Sequence, residues 1–137
     1  MRSVIVDANV FVSLLTARHE RQREVAAALL QEAEDGELVV MLPQFVVFEV
    51  TYVLQSLYNV AGDRLASMIR DLVSFPGVHV IDDCPWHRIF ELWPNPLPSL
   101  ADASIAAVAT TNRYDAIATF DQKLERRARI LGVAGYW

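Results

Sequence analysis

Short runs of apolar, mostly β-branched residues alternate with longer helical patterns along the chain. The runs predict strands at Ser3–Val6, Leu38–Leu42, Val78–Ile81 and Ala116–Thr119, with a weaker one at Val133–Trp137. The patterns between them predict helices at Asn9–Ala17, Glu20–Asp35, Gln44–Tyr58, Asp63–Ser74, Trp86–Trp93, Ala101–Thr111 and Gln122–Leu131. Strands that alternate with helices favour an α/β fold, in which helices cover both faces of a mainly parallel sheet of four to five strands.

The composition of the chain is that of a folded globular protein. Of its 137 residues, 53% are hydrophobic and 21% are charged, which excludes a disordered chain and allows one sizeable core. We therefore expect a single domain over residues 1–137. The one cysteine, Cys84, excludes an internal disulfide. It fits a reducing compartment, and the N-terminus has no signal-peptide pattern, so we expect a cytoplasmic protein.

Neither a membrane span nor a broad basic surface is indicated. The longest apolar region, residues 38–60, is interrupted by Pro43, Gln44, Glu49 and Gln55, and therefore predicts a strand, a turn and a buried helix. The net charge of −5 argues against nucleic-acid binding through bulk positive charge. It leaves open an enzyme whose acidic site binds cations that then meet a phosphate.

Three aspartates stand where a strand or loop gives way to a helix. Asp7 follows the strand in "VIVDANVF", and Asp121 follows the strand in "AIATFD". Asp102 is the fourth residue of "SLAD", a sequence that resembles a capping box with Ser99 as the cap. Each aspartate alone is explained as a helix cap or as part of one.

Glu49 is harder to explain in that way. It lies within "FVVFEVTYVL", among apolar residues that leave little polar face on a helix. A buried carboxylate costs several kcal/mol unless it is paired, protonated or bound to a metal. The alternative is that Glu49 reaches the rim of the protein and pairs with an arginine.

Taken together, the four carboxylates are expected to meet at one edge of the sheet. Ligands of open parallel α/β sheets bind beyond the carboxyl ends of the strands, where Asp7, Asp102 and Asp121 are expected. Glu49 lies roughly 9 Å inside a helix that begins just after a strand. Such a group, without a His or Cys pair, is a hard-oxygen site that selects Mg²⁺ or Mn²⁺. Metal-assisted phosphoryl transfer is the chemistry expected there.

Four stretches resemble, in order and spacing, the acidic motifs of PIN-domain ribonucleases, and most of all the VapC toxins of prokaryotic VapBC toxin–antitoxin pairs. These stretches are "VIVDANVF", "LPQFVVFEV", "LADASIAAVA" and "AIATFD", and the likeness runs from residue 3 to about residue 131. The resemblance implies a three-layer α/β/α sandwich formed by a single PIN domain. It also implies an endoribonuclease that uses Mg²⁺ or Mn²⁺ to hydrolyse RNA.

By motif, the resemblance assigns Asp7, Glu49, Asp102 and Asp121 as the catalytic, metal-binding quartet. Asn9 matches the polar residue of the first motif, which orients the first acid. Thr119 matches the hydroxyl residue two positions before the last acid, where it supports the site or orders water.

The resemblance also implies an RNA substrate, a cognate antitoxin and a homodimer. Antitoxins of such pairs usually lay a C-terminal segment across the acidic groove, often with an arginine among the carboxylates. We expect the dimer to use the helices at Val46–Tyr58 and Asp63–Ser74, whose apolar faces are wide. RNA backbone contacts are expected from the basic residues after the first helix, Arg18, Arg21 and Arg23. The Trp- and Pro-rich segment Trp86–Pro98 has no counterpart in the motifs.

Two other functions remain as alternatives. A non-catalytic PIN-fold module that binds RNA or protein would share the fold, although such a module has no need of four intact acids. A haloacid-dehalogenase-like phosphatase also begins with a strand-end aspartate, but it requires a second aspartate where this chain has Asn9. A response-regulator receiver fits still less well, because the acidic pair after the first strand is missing. The RNA target and the number of ions are left open by the sequence.

Overall fold

The computed structural model describes all 137 residues and contains one five-stranded, all-parallel sheet between two layers of helices. Its strands are β1 (Arg2–Val6), β2 (Leu38–Pro43), β3 (Val78–Ile81), β4 (Ala116–Ala118) and β5 (Ala134–Gly135), in the order β3-β2-β1-β4-β5. Its helices are α1 (Ala8–Leu15), α2 (Glu20–Glu34), α3 (Gln44–Tyr58), α4 (Gly62–Val73), α5 (Trp86–Leu92), α6 (Leu100–Thr111) and α7 (Gln122–Ile130). The predicted fold class is confirmed.

Two elements end two residues before the boundaries that their sequence patterns predict. The weak signal at Val133–Trp137 yields a strand of only two residues, Ala134–Gly135, because only these two pair with β4 as a ladder. The first helix stops at Leu15 rather than Ala17, since Thr16 adopts an extended backbone and its hydroxyl donates to the carbonyl of Val12 at 2.7 Å.

The central strand β1 owes its composition to its position. It pairs with β2 on one side and β4 on the other, and helices cover both faces, so Val4, Ile5 and Val6 are fully buried. β-Branched side chains suit such a strand because they pack well on a pleated surface. Asp7, the next residue, donates its backbone N–H to the carbonyl of Ala118 at 2.9 Å. The strand end is therefore fixed to its neighbour at the point where the first carboxylate begins.

Helix α6 is the most deeply buried helix. Its residues from Ala103 to Ala109 are all buried, and most of them are alanines. Small side chains let a helix approach its neighbours closely, and burial on every side holds its backbone in place. The position of Asp102, one residue before this buried stretch, is thereby fixed. None of the seven helices combines the length and the apolar character needed to cross a bilayer.

Candidate functional site

Asp7 lies between β1 and α1 with both carboxylate oxygens engaged. Oδ1 accepts a hydrogen bond from the backbone N–H of Ala8 at 2.8 Å, so the capping interpretation holds for this oxygen. Oδ2 accepts from the Thr119 hydroxyl at 2.8 Å and from the Asn9 amide at 3.1 Å. The pKa of Asp7 is raised to about 6, mainly by burial and also by the charges of Glu49 and Asp121, against the lowering effect of the bonds from Thr119 and Ala8.

Asn9 and Thr119 join the two strand-end acids into one network. The amide nitrogen of Asn9 contacts the Thr119 hydroxyl at 3.3 Å, while its amide oxygen accepts from the backbone N–H of Phe120 at 3.1 Å. The Thr119 oxygen in turn accepts from the backbone N–H of Asp121 at 3.1 Å. Both residues therefore contact Asp7, and they connect the end of β1 to the end of β4.

Asp121 caps α7 through only one of its two carboxylate oxygens. Its Oδ1 accepts from the backbone N–H groups of Lys123 at 2.9 Å and Leu124 at 3.2 Å. Its Oδ2 accepts no hydrogen bond from the protein. The capping role expected from the sequence is thus real, and it orients a second oxygen that remains available.

Asp102 and Glu49 are free of such bonds. The helix α6 is capped by Ser99, whose hydroxyl oxygen accepts from the backbone N–H of Asp102 at 3.3 Å, but the carboxylate of Asp102 does not bond back to Ser99. Glu49 is half-buried and takes part in none of the three ion pairs of the protein. The alternative in which an arginine at the rim neutralises Glu49 is therefore wrong.

All four carboxylates line one cavity of about 230 Å³. The elements that bring them there are β1, α3, α6 and the end of β4. The full lining is Asp7, Ala8, Asn9, Val12, Arg18, Glu49, Val53, Asp102 and Asp121. Four segments that are far apart in the sequence thus contribute an acid to the same space.

The carboxylates of this cavity repel one another. The pKa of Asp102 is raised to about 6, mainly by burial and also by the charges of Asp7 and Asp121, while the charge of Arg127 acts in the opposite direction. Burial also raises the pKa of Glu49, with a second contribution from the charge of Asp102. Each of these groups therefore holds its proton more tightly than a solvated carboxyl, and a bound cation would reverse that effect.

The donor set fits a hard divalent cation, although the side chains are not converged on a single point. No three His, Cys, Asp or Glu side chains approach closely enough to ligate one ion directly. Repulsion between the carboxylates favours such a spread, and Glu49 and Asp102 have no hydrogen bond that would stop their side chains from turning inward. The donors in the cavity are all oxygen atoms, which suits Mg²⁺ or Mn²⁺ better than Zn²⁺. Asp7, Glu49, Asp102 and Asp121 are the residues available to hold such an ion.

Of the three arginines expected to contact RNA, only Arg18 lines the cavity. Its Nε donates to the Ser13 hydroxyl oxygen and its Nη2 to the backbone carbonyl of Asn9, both at 2.9 Å. Arg21 instead pairs with Glu24 at 3.7 Å on the exposed face of α2. Arg23 is exposed on the same helix.

Sequence reasoning missed Ser13, Gln22 and Arg127. Ser13 is fully buried and donates to Gln22 Oε1 at 2.8 Å, so it connects α1 to α2 beneath Arg18. The signal was present, since Ser13 is a polar residue in an apolar run and lies four positions after Asn9, on the same helix face. Arg127 lies on α7 and acts on Asp102 through its charge alone.

The Trp- and Pro-rich segment Trp86–Pro98 borders the site. The rings of Trp86, Phe90 and Trp93 follow one another at centroid distances of 5.9 and 6.0 Å. Trp86 lines an apolar cavity of about 270 Å³ that has Glu49 in its wall as well. The acidic cavity and this apolar cavity therefore adjoin through one residue.

Comparisons with known proteins agree with the fold. The family model of the PIN domain matches residues 4–130. The VapC20 toxin of Mycobacterium tuberculosis, described as Sarcin-Ricin loop cleaving, is 20% identical over 96% of both chains with a TM-score of 0.71. VapBC2 of Rickettsia felis, bound to a DNA fragment from its promoter, is 14% identical over 90% of this chain and 92% of that chain (TM-score 0.64).

A domain of a functionally unknown Methanocaldococcus jannaschii protein is also similar, at 18% identity over 100% of this chain and 91% of that chain, with a TM-score of 0.60. At these identities the structural likeness shows a shared fold. No curated protein sequence matches the chain significantly.

Proposed function

This chain belongs to the PIN-domain family, and from that premise we propose that it is a divalent-metal-dependent endoribonuclease, the toxin of a type II toxin–antitoxin pair. The observation that carries the proposal is the single cavity lined by four carboxylates, none of which is paired with a cationic side chain. The fold shared with a VapC toxin described as cleaving the Sarcin-Ricin loop supports RNA as the substrate class.

We assign Asp7, Glu49 and Asp102 as the main ligands of Mg²⁺ or Mn²⁺, with Asp121 completing the site directly or through a water. When bound, such an ion lowers the pKa of its water and stabilises negative charge on the phosphate and the leaving oxygen. The reaction that this chemistry would serve is hydrolysis of an RNA phosphodiester bond.

The residues of the chain itself supply orientation. Thr119 and Asn9 hold one oxygen of Asp7 by two hydrogen bonds, so its carboxylate plane cannot turn freely. The two capping bonds to Asp121 Oδ1 fix that side chain in the same way and leave its other oxygen unbonded. Support of this kind typically changes metal affinity or activity 10- to 100-fold when it is removed.

Cleavage of a panel of structured RNAs tests the proposal most simply. The purified protein is incubated with Mg²⁺, with EDTA and as Asp7→Asn, and cleavage is expected in the first case alone. Cleavage that survives chelation would indicate another chemistry. Tight RNA binding without any cleavage would favour the non-catalytic PIN-fold module. Membership of the PIN family excludes the phosphatase and receiver alternatives.

A cognate antitoxin is the proposed partner. The cavity concentrates four acidic side chains with only Arg18 as a basic neighbour, so an arginine inserted from another chain would find strong charge complementarity. The structural likeness to VapBC2 supports a partner of this kind. A toxin that acts on cellular RNA would work in the cytoplasm, which is the location that we propose.

We propose that a homodimer forms through α3 and α5. The exposed fractions of Phe48, Tyr52 and Leu57 on α3 are 69%, 69% and 72%, and those of Trp86 and Phe90 on α5 are 52% and 61%. Helix α4, which the sequence had also suggested, exposes no large apolar side chain. Its apolar residues Leu65 and Leu72 face the core instead.

Sedimentation analysis of Phe48→Glu tests this surface. We expect the wild-type chain to sediment as a dimer and the variant as a monomer, because a charge in an apolar interface is left unpaired. Arg64→Glu on α4 is the matched control and should remain dimeric. A monomeric wild type, or a variant that still dimerises, would contradict the assignment.

A further inference from the structure

Arg18 stands out as the only basic side chain that lines the acidic cavity. It forms no ion pair with any of the four carboxylates there. Its two hydrogen bonds go to neutral groups, the hydroxyl oxygen of Ser13 and the backbone carbonyl of Asn9. If Arg18 served to neutralise the acids, an ion pair with one of them would be expected. Its contacts instead hold the guanidinium in the lining of the cavity without an ion pair to any of the carboxylates.

Arg18 lies in the loop between α1 and α2, and hydrogen bonds through buried and half-buried side chains hold its guanidinium. Ser13 is 0% exposed, and its hydroxyl donates to Gln22 Oε1 at 2.8 Å while its oxygen accepts from Arg18 Nε at 2.9 Å. Helices α1 and α2 thus hold the guanidinium through one continuous chain of hydrogen bonds. Ordering an arginine side chain costs rotamer entropy, and these hydrogen bonds already restrict the Arg18 side chain before any ligand binds.

The guanidinium still has donors to offer. An arginine carries five N–H donors, and Arg18 donates only from Nε and Nη2, which leaves Nη1 wholly free. A planar fork of N–H groups matches the oxygens of a phosphate and binds them bidentately. The Arg18 guanidinium is fixed, has unused donors and lies beside the proposed metal site. It is therefore placed to bind the same phosphate as the metal ions.

We propose that Arg18 binds the phosphate of the RNA at the cleavage site, and that Ser13 and Gln22 are positioning residues that set the direction of its guanidinium. The inference rests on the proposed nuclease function. It adds a substrate-binding residue outside the acidic motifs, and it distinguishes Arg18 from Arg21 and Arg23. Arg127 lies close enough to act on Asp102 through its charge, but it does not line the cavity.

The first test compares the cleavage kinetics of Arg18→Gln and Arg18→Lys with those of wild type and of Arg64→Gln. Arg64 lies exposed on α4 and lines no part of the cavity, so its variant controls for the loss of one positive charge. Loss of a charged hydrogen bond predicts that Arg18→Gln lowers kcat/KM about 10- to 100-fold. Arg18→Lys should recover only part of this, because lysine lacks the fork. The rise in Tm caused by Mn²⁺ should stay as in wild type.

The second test measures RNA binding without catalysis. In an Asp7→Asn background, the affinity for a fluorescent RNA is followed by anisotropy across a salt series. A phosphate contact predicts that Arg18→Gln reduces the slope of log K against log [salt] by about one. Ser13→Ala and Gln22→Ala keep the charge of Arg18, so they should lower kcat/KM while leaving that slope unchanged.

The outcomes separate this inference from the nuclease proposal. If Arg18→Gln lowers Tm but changes neither the kcat/KM of the folded fraction nor the salt slope, Arg18 is a structural clamp between α1 and α2, and the inference is overturned. If wild type cuts no RNA and Mn²⁺ does not raise its Tm, the nuclease proposal fails. A reduced salt slope for Arg18→Gln would in that case still support the phosphate contact.

Discussion

The two halves of the acidic cavity are built in different ways. On the sheet side, Asp7 and Asp121 end strands, and their carboxylates accept hydrogen bonds from Ala8, Asn9, Thr119, Lys123 and Leu124. On the helix side, Glu49 and Asp102 project from α3 and α6, and their carboxylates accept no hydrogen bond and form no ion pair. We call the sheet side, Asp7 and Asp121, the fixed half of the cavity. The helix side, Glu49 and Asp102, is the free half, because its side chains can turn.

The difference teaches how such a site remains folded without a cation. Four fixed carboxylates could relieve their repulsion only by binding protons, whereas the two free side chains can also turn apart. The backbone of the free half is nevertheless rigid, because α6 is buried from Ala103 to Ala109. Binding of a cation would therefore require the side chains of Glu49 and Asp102 to move, but not the backbone.

The largest effect is expected from removing the charge of the fixed half. Asp7→Asn should reduce cleavage by more than the roughly 100-fold that loss of a supporting residue costs. It should also remove most of the rise in Tm that Mg²⁺ or Mn²⁺ gives the wild type, since a ligand that binds only the folded state stabilises it. Differential scanning fluorimetry with a metal titration measures this. Asp71→Asn on α4 is the matched control, and an unchanged metal response in Asp7→Asn would contradict the site.

The second-largest effect is expected from a substitution that keeps all four acids but removes hydrogen bonds within the fixed half. Thr119→Val removes the hydroxyl that donates to Asp7 and accepts from the backbone of Asp121. Metal affinity is expected to fall about 10- to 100-fold, as measured by isothermal titration calorimetry. Because the Thr119 bond lowers the pKa of Asp7, the apparent pKa of cleavage should also shift upward. Thr111→Val on the exposed end of α6 should change neither quantity.

The pH dependence of stability gives a third, smaller effect. The pKa values of Asp7 and Asp102 are both raised from 3.8 to about 6. The folded state therefore binds these protons more tightly than the unfolded state, so the stabilisation is complete below about pH 4 and is lost as the pH rises through 6. In EDTA, the contribution of these groups should lower Tm across this range. In Mg²⁺ the loss should be offset, and identical curves with and without metal would argue against a shared site.

The smallest effect, a change in Tm, is expected from a substitution in the free half. Asp102→Asn removes a half-buried charge that has no partner and that repels Asp7 and Asp121. We expect Tm in EDTA to rise by a few degrees, while the metal-induced increase becomes smaller. On the fixed side, Asp121→Ala removes the capping bonds to α7 and should lower Tm instead. Equal shifts in the two variants would show that the two halves do not differ.

Much of the fixed half is readable from the sequence. A β-branched run that ends on Asp7, and a second strand that ends on "TFD", locate two acids at the carboxyl edge of a parallel sheet. The capping role of Asp121 is also correctly anticipated. Local patterns suffice here because each acid is adjacent to the element that positions it.

The free half and the arginines depend on tertiary packing. The freedom of Glu49 from any arginine depends on how α3 packs against α1, which no local pattern states. The path of the loop between α1 and α2 decides that Arg18, and neither Arg21 nor Arg23, enters the cavity. The bond between Ser13 and Gln22 crosses that loop. The large exposed apolar side chains lie on α3 and α5 rather than on α4, because α4 buries Leu65 and Leu72.

Anomalous diffraction from crystals soaked in Mn²⁺ tests the central claim most directly. The account predicts a peak inside the cavity, with oxygens of Asp7, Glu49 and Asp102 at about 2.1 Å from the ion and with the side chains of Glu49 and Asp102 turned inward. A fully soaked crystal with no peak in the cavity, or with manganese bound only elsewhere on the protein, would contradict it.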